Sequence, residues 1–422
     1  MSKRIAYLAN SFPTAVEPYV VDEIKELRRH GIEVVPCSIR RTLPSGDVTF
    51  DSLRDETLCL QTFGLPLLID GLRFAFQRPR QLWPFLRRIL FTRQESAARR
   101  IRALVHTWLG ACYAALLANR AIEHIHVHHG YFGSWVAMVA AHLLGIRFSM
   151  TLHGSDLLVD PAYLDIKLER CCFCTTVSEF NRWHILHHYP RVSAEKIYVN
   201  RMGVNCEVDS RDFAPQQDSN ALQILCVGRL HPVKDHGFLI RSCFWLKSRG
   251  LAFKCTIAGD GPEWGKLERL IFALGLGDEV RLVGHVPHSE IGRYYEAADL
   301  VVLTSRSEGI PLTLMEAMVR EKIVLAPAIT GIPELVVDGK TGLLYRPGSL
   351  HDFVAQVELV QKAGPVLGSL RRAARAHVVR KFNQEKNLTV FCDLLIEQLD
   401  TRSEKMIESV GQRAWYEDPV LQ

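Results

Sequence analysis

No run of eighteen apolar residues occurs in this 422-residue chain, so no segment has the length and apolarity of a membrane-spanning helix. A basic start followed by an apolar stretch and a small-residue cleavage site is also missing, and the chain reads as a cytoplasmic protein. Paired cysteine spacing is absent too. Eleven cysteines are scattered, and CCFC at 171–174 has no second ligand pair, so reduced core thiols are expected rather than disulfides or zinc. No G-x-G-x-x-G follows the first strand of either half, and no G-x-x-x-x-G-K-S/T occurs. Nicotinamide-dinucleotide and P-loop ATP sites are thereby disfavoured. What is present is a globular composition, 48% hydrophobic and 23% charged, long enough for two or three domains with cores of their own.

The net charge of +5 is unevenly spread. Residues 1–200 hold 24 Lys/Arg against 18 Asp/Glu, whereas the remainder holds 27 against 28. Within the first half, the stretch from Gly71 to Arg102 carries nine arginines (Arg73, Arg78, Arg80, Arg87, Arg88, Arg93, Arg99, Arg100 and Arg102) and one acid, Glu95. Leu82, Phe85, Leu86, Ile89 and Leu90 recur there at helical spacing, with Trp83 near the start, which predicts a basic amphipathic helix. Such a helix suits an anionic bilayer surface; the alternative is that its apolar face packs on the first domain. Nucleic acid is disfavoured because no RNA- or DNA-binding motif accompanies the arginines.

KRIAYLANSFP followed by YVVDEIKELRRHGIEVVPCSI reads as strand, helix and strand, with Gly31 closing the helix: the opening of a doubly wound sheet. IEHIHVHH, RFSMTLHG and CFCTTVS add strands separated by helices. NCEVDSRDFAPQQDSN, from Asn205 to Asn220, is polar and aperiodic and reads as a linker. At 222 the alternation restarts with LQILCVGRL, FKCTIAGDGP, EVRLVGHV, DLVVLTS, KIVLAPA and GLLYRP as strands. After Arg371 the chain is helical by pattern, with a polar tail expected from about Thr401. Two α/β halves joined by a linker imply a ligand cleft between them.

The candidate residues fall at strand ends. In SRSEGIPLTLMEAM, Glu308 follows an apolar strand and Glu316 lies more than a turn inside the next helix, with Pro311 suited to its first turn. The helix start between the two acids is a place for an anion. Arg229 and Lys234, in GRLHPVKDHG, offer a forked donor and a mobile charge for a diphosphate. GDGP at 259–262 and TGIPELVVDGKTG at 330–342 add glycine-rich turns, read as close approaches of backbone to phosphate or base. From the first half, HHGYFG and TLHGSD bring His128, His129, His153 and Asp156 towards the cleft. The alternating His124, His126 and His128 are read as the polar face of a strand at a sheet edge rather than as a metal site.

The ordered set GRLHPVK, GDGP, SEGIPLTLMEAM, TGIPELV with DGKTGLL, and the upstream TLHGSD resembles the family-four glycosyltransferases over about residues 3–400. SFPTAVEPYVVDEI looks like the subset that builds bacterial exopolysaccharide or colanic-acid-like repeat units, although Val16 and Pro18 depart from its FP-x-x-SETF pattern. The resemblance implies the α/β GT-B fold: a Rossmann-like acceptor domain (1–200) and a Rossmann-like nucleotide-sugar domain (201–380) facing a central cleft, with a C-terminal helix and tail (381–422) returning to the first domain. It implies that Arg229 and Lys234 hold the donor diphosphate beside Gly228 and Gly259. By the same resemblance Glu308 reads the donor sugar, Glu316 the ribose, and backbone from Gly309 through Ile310, Pro311 and Leu312 to Thr313 the phosphate. His285 and Val286 would lie against the base and His153 against the transferred sugar, with His128, His129 and Asp156 on the acceptor side. No metal or cofactor is expected. A retaining transfer to a saccharide or lipid-linked acceptor at the inner membrane face is implied; a nucleotide-sugar epimerase of the same fold and a non-catalytic membrane-binding module are the competing readings.

Overall fold

The computed structural model describes residues 3–14, 17–43, 48–62, 64–91, 95–207, 221–363 and 367–414. Most of the linker expected at 205–220 therefore lies outside the described residues. The first half holds β1 (Arg4–Ser11), β2 (Glu33–Arg40), β3 (Leu58–Cys59), β4 (His124–His128), β5 (Arg147–Leu152), β6 (Cys174–Thr176) and β7 (Ile197–Val199). They form one parallel sheet in the order β3-β2-β1-β4-β5-β6-β7. The second half holds β8 (Leu222–Val227), β9 (Phe253–Ala258), β10 (Val280–Gly284), β11 (Leu300–Val302), β12 (Ile323–Pro327) and β13 (Leu343–Tyr345), also parallel, in the order β10-β9-β8-β11-β12-β13. Helices cover both faces of such sheets, which is why strands such as β12 are buried along their whole length and read as continuous apolar runs rather than alternating ones. In each sheet the strand order reverses beside the first strand, between β1 and β4 and between β8 and β11. Loops at that switch point are where doubly wound sheets bind ligands.

One face of the first sheet carries the nearly all-buried helix Phe132–Leu144, packed under the long helix Ala97–Leu117. The opposite face carries the helix Pro18–Arg29 together with the C-terminal helix Gln384–Ala414. Phe391, Cys392 and Leu395 of the latter are buried with Ile5, Tyr7, Val20 and Ile24, and the Gln384 amide donates to Asp22 at 2.6 Å. The last helix thus returns to the first domain. It also continues to Ala414, so the polar composition after Thr401 does not end it; intrahelical hydrogen bonds need no apolar side chains.

The basic segment from Gly71 to Arg102 spans the end of the helix Leu65–Phe76, the helix Pro79–Phe91 and the start of Ala97–Leu117; Arg93 lies outside the described residues. Of the apolar face read from the sequence, Leu82, Phe85 and Ile89 are turned inward, Leu86 is half-buried and Leu90 is exposed. Phe85 and Ile89 are fully buried and Leu82 nearly so, with the Phe85 ring edge-on to Trp135 and His142 at 5.9 and 5.3 Å. Each such side chain contributes about 1.5–3 kcal/mol to the first domain's core. Arg88 is likewise not a solvated cation, because it pairs with Asp165 at 2.7 Å. A different apolar set faces outward: Leu65, Ile69, Leu72 and Phe76 along one helix, and Trp83 and Phe91 on the next. No helix among the described residues is long and apolar enough to cross a membrane.

Candidate functional site

The chain leaves β11 through Leu303–Ser305 and reaches Glu308 in a loop tied down at each turn. Ser305 donates to Glu308 Oε1 at 2.6 Å, and Lys234 Nζ donates to the same oxygen at 2.5 Å. Lys234 sits in a short 3-10 turn, Pro232–Lys234, whose backbone is bound by the β11 loop: Thr304 donates to Lys234 O at 2.9 Å and Arg306 N to Val233 O at 2.8 Å. Asp235 then adopts a left-handed conformation, caps the helix His236–Ser248 and accepts from Arg306 Nε at 2.8 Å. Lys234 and Glu308, 74 residues apart, are therefore held as one unit at the switch point of the second sheet. Arg229 is exposed on the same strand end, close enough to Tyr131 across the cleft for its charge to bear on that phenol.

Thr330 also has a left-handed backbone, at φ 45°. That is a conformation in which glycine is favoured, and here the threonine hydroxyl donates to the Glu308 carbonyl at 2.6 Å, offsetting the strain while fixing the loop from behind. The helix after the loop runs Leu312–Val319 with Pro311 as its N-cap, one residue before the first turn. Its first N–H groups have no intrahelical partner. Glu316 is held by Tyr295, whose hydroxyl donates at 2.7 Å; burial and this carboxylate together push the phenol's pKa well up. Tyr295 belongs to the helix His288–Ala297, which follows directly on His285 and Val286, the former exposed and the latter half-buried beyond the edge strand β10. Gly259 has a packing role. A Cβ there would lie 1.9 Å from the Gly228 carbonyl oxygen, so only glycine lets β9 pack against the end of β8.

In the first domain, β4 is the central strand of seven, not an edge, and His124, His126 and His128 are all buried. Polar residues are tolerated there because β5 supplies partners: Ser149 bonds both His124 and His126, at 2.7 and 2.8 Å, and Thr151 bonds His126 at 3.1 Å. Glu23, His126 and His128 have donor atoms within 4.8 Å of one another. Both ring nitrogens of His126 are already engaged by hydroxyls, so the trio reads as a hydrogen-bonded network.

His128 and Asp156 lie behind the cleft wall, each with no exposed surface, which corrects the expectation that they meet an acceptor. Asp156 accepts from the backbone N–H groups of Gly130 and Gly154, each at 2.8 Å, and of His153 at 3.1 Å. It fastens the two loops to each other. Lys167, fully buried, does the same from below, donating to the carbonyls of Gly130, Tyr131 and Ala162; burial lowers its pKa to about 7.

His129 and His153 do reach the cleft wall, both half-buried, with ring centroids 4.4 Å apart. His129, at φ 69°, pairs with Glu17 Oε1 at 2.8 Å and lies 3.7 Å from Asp156 Oδ2, an ion-pair rather than a hydrogen-bond distance. Burial acts to lower its pKa, but the two carboxylates outweigh it and raise it to about 10, so the ring is an imidazolium at neutral pH. His153 goes the other way: burial, then the neighbouring imidazolium of His129, hold it well below its ordinary value and keep it neutral.

The two halves touch at this point. A Cβ on Gly154 would stand 3.1 Å from Gly309 N, and one on Gly309 would stand 2.2 Å from the His153 carbonyl oxygen. The His153 turn and the Glu308 loop are thus in backbone contact across the cleft. Glu334, from TGIPELV, reaches over to accept from the N–H groups of Phe180 and Glu179 at 2.8 and 3.0 Å, and pairs with Arg201 at 3.2 Å. Sequence reasoning missed Glu17, Glu23, Tyr295 and Glu334. Glu23 carried a signal, since it falls at helical spacing on the apolar face of Val20, Ile24 and Leu27.

Two doubly wound parallel domains with their strand ends opposed across a cleft make the GT-B architecture of glycosyltransferases. It superposes on a glycosyltransferase from Rickettsia africae ESF-5 with a TM-score of 0.70 at 20% identity, covering 94% of this chain and 99% of that one. Against Anabaena Alr3699/HepE, solved in complex with UDP and glucose, the TM-score is 0.67 at 16% identity, over 94% and 100% of the two chains. At these identities the likeness establishes the fold.

Sequence relatedness is concentrated in part of the chain. Residues 208–377 match the model of glycosyl transferases group 1, in agreement with the resemblance carried by the motifs. The chain is 37% identical over 200 residues to the amylovoran biosynthesis glycosyltransferase AmsK of Erwinia amylovora, spanning 45% of this chain and 48% of that one. It is 33% identical over 201 residues to the putative colanic acid biosynthesis glycosyltransferase WcaL of Escherichia coli K12, with the same coverage. The chain thus spans about half the length of the curated relatives it matches.

Proposed function

We propose that this protein is a retaining glycosyltransferase that moves a sugar from a nucleoside-diphosphate sugar to a saccharide or lipid-linked saccharide acceptor in the assembly of a cell-surface polysaccharide. The observation that carries the reading is the locked pair of Lys234 and Glu308 at the start of the helix Leu312–Val319, in backbone contact with the His153 turn. A cation, a helix start and an acid that accepts hydroxyls, brought to one cleft wall, suit a diphosphate with a sugar attached.

In this reading the diphosphate displaces Glu308 from Lys234 and takes up the N–H groups of Gly309, Ile310, Leu312 and Thr313, Pro311 having none to give, with Arg229 closing over it. Glu308 then turns to the sugar hydroxyls, and the free oxygen of Glu316 receives the ribose while His285 and Val286 line the base. The acceptor hydroxyl attacks the face from which the diphosphate departs, and the leaving phosphate takes its proton. The enzyme's part is to stabilise the departing charge and exclude water. Calorimetric titration with UDP and GDP tests it: one of them should bind at about micromolar strength, and Glu316→Ala should lose at least about tenfold through the ribose hydrogen bonds. Failure of both to bind the folded protein would remove the donor assignment.

The same reading places the acceptor at an anionic bilayer. What favours it is the outward stripe Leu65, Ile69, Leu72 and Phe76, continued by Trp83 and Phe91, in a segment with a strong excess of arginine. Apolar side chains ringed by cations match the boundary of an anionic leaflet. Wild-type protein should co-sediment with phosphatidylglycerol vesicles and not with phosphatidylcholine vesicles, and Phe76→Ser with Phe91→Ser should weaken that binding about tenfold or more. Equal recovery with both vesicle types would exclude this surface.

A further inference from the structure

We propose that Glu23, acting through His128, fixes the tautomer of His153 so that its Nδ1 faces the cleft as a hydrogen-bond acceptor for a hydroxyl of the bound sugar. The sugar contact rests on the function proposed above; the relay itself does not. It starts from a carboxylate buried at 9% exposure on the inner face of the helix Pro18–Arg29. A buried carboxylate is costly without donors, and Glu23 has two on its Oε2: the Tyr7 hydroxyl and His128 Nε2, the latter at 2.8 Å. The Tyr7 oxygen also lies 2.9 Å from His128 Nε2, and with its proton given to Glu23 it can only accept there; an ionised carboxylate likewise only accepts, so the His128 proton sits on Nε2. Its Nδ1 lies 3.0 Å from His153 Nε2.

A neutral His128 then has a bare Nδ1, and His153 must donate from Nε2. The Nδ1 of His153 is left as a lone pair. Among the described residues nothing bonds to that nitrogen, and it is not one of the sealed polar atoms. A second proton on His128 would reverse the assignment and turn His153 Nδ1 into a donor. The groups facing the relay are Tyr7 from β1, Tyr19 from the same helix as Glu23, its ring tilted 4.9 Å from that of His153, Glu17 just before that helix, the pair His129 and Asp156, and Cys392 from the C-terminal helix. Of the described carboxylates only Glu23 is hydrogen-bonded to His128, while Glu17 bears on it through space. Glu23 and His128 are therefore positioning residues, since neither reaches the cleft.

Selective nitrogen-15 labelling of histidine in the full chain, with long-range imidazole spectra and His153→Gln for assignment, reads the tautomer without any ligand. His153 should show a protonated Nε2 and a bare Nδ1. Glu23→Gln can present either its oxygen or its NH2 group to His128, and the Nδ1–H form of His153 should rise from under about a tenth to about half. Tyr7→Phe removes a donor to Glu23 and a second acceptor at His128 Nε2, and should leave the tautomer as it is because Glu23 remains. An unchanged His153 in folded Glu23→Gln, or a protonated Nδ1 in the wild type, would overturn the relay. Addition of UDP-glucose or GDP-mannose then tests the contact. A shift of the Nδ1 resonance with the bound nucleotide sugar, absent with the bare nucleotide, supports it, and binding without that shift refutes it. If neither nucleotide sugar binds, the transferase reading falls while the tautomer still decides the relay.

Discussion

Lys234→Ala is expected to weaken binding of the nucleoside diphosphate by about 100-fold, the effect of losing a charge-assisted hydrogen bond to a partly buried anion. The substitution is clean because what shapes the turn is backbone: Thr304 on Lys234 O and Arg306 on Val233 O remain when the ammonium is gone. In the free protein the lysine neutralises Glu308, so its removal also leaves an acid, held by Ser305, facing an incoming diphosphate of the same sign. Both consequences act in one direction. Lys234→Arg should recover only part of the loss, since a planar fork on a longer stem does not reproduce a point charge inside a closed turn. The measurement is the nucleotide titration described above, repeated at low and physiological salt. Equal affinity in wild type and Lys234→Ala would detach this turn from the phosphate site altogether.

The residues that place this site were readable because they obey local rules. A buried parallel strand is a continuous apolar run, its end is marked by glycine, and a polar residue just beyond lies at the ligand edge of the sheet. Arg229, Lys234 and Glu308 were found in that way. What sequence could not supply was orientation. Leu82, Phe85 and Ile89 have the spacing of a surface stripe, yet only the presence of Trp135 and His142 beneath them decides that they face inward while Leu65, Ile69, Leu72 and Phe76 face out. The histidines of β4 alternate as on an exposed strand, and Ser149 and Thr151 on the neighbouring strand make the same alternation stable inside. Gly259 reads as part of a glycine-rich turn, while the atom that forbids a side chain there, the Gly228 carbonyl oxygen, shows only in the fold. β3 and β7, two and three residues long, are too short for any period to register; they exist because the sheet offers them a partner.

The second large effect concerns closure. Gly309→Ala should lower turnover by at least about 100-fold, the scale on which a misplacement of about 1 Å disturbs a reacting geometry. A methyl group at this position would lie 2.2 Å from the His153 carbonyl oxygen and 3.0 Å from Val177 Cγ2. The first of these is backbone fastened by Asp156 through the amides on either side, so it cannot step aside as a flexible side chain would. The remaining freedom is between the domains. The protein should relieve the contact by opening the cleft, which separates His153 from Glu308 and admits water. Small-angle scattering should then show a larger radius of gyration for the variant than for the wild type, alongside slower release of nucleotide from the donor. Gly154→Ala approaches the same contact from the other domain, with a Cβ 3.1 Å from Gly309 N and a backbone φ of 145° that disfavours any side chain. It does not alter the loop that holds Glu308. If both variants open the molecule and slow it together, closure is what the two glycines serve. Slow turnover in Gly309→Ala with an unchanged radius, and normal turnover in Gly154→Ala, would mean instead that the loop alone was damaged and that the contact across the cleft has no part in the reaction.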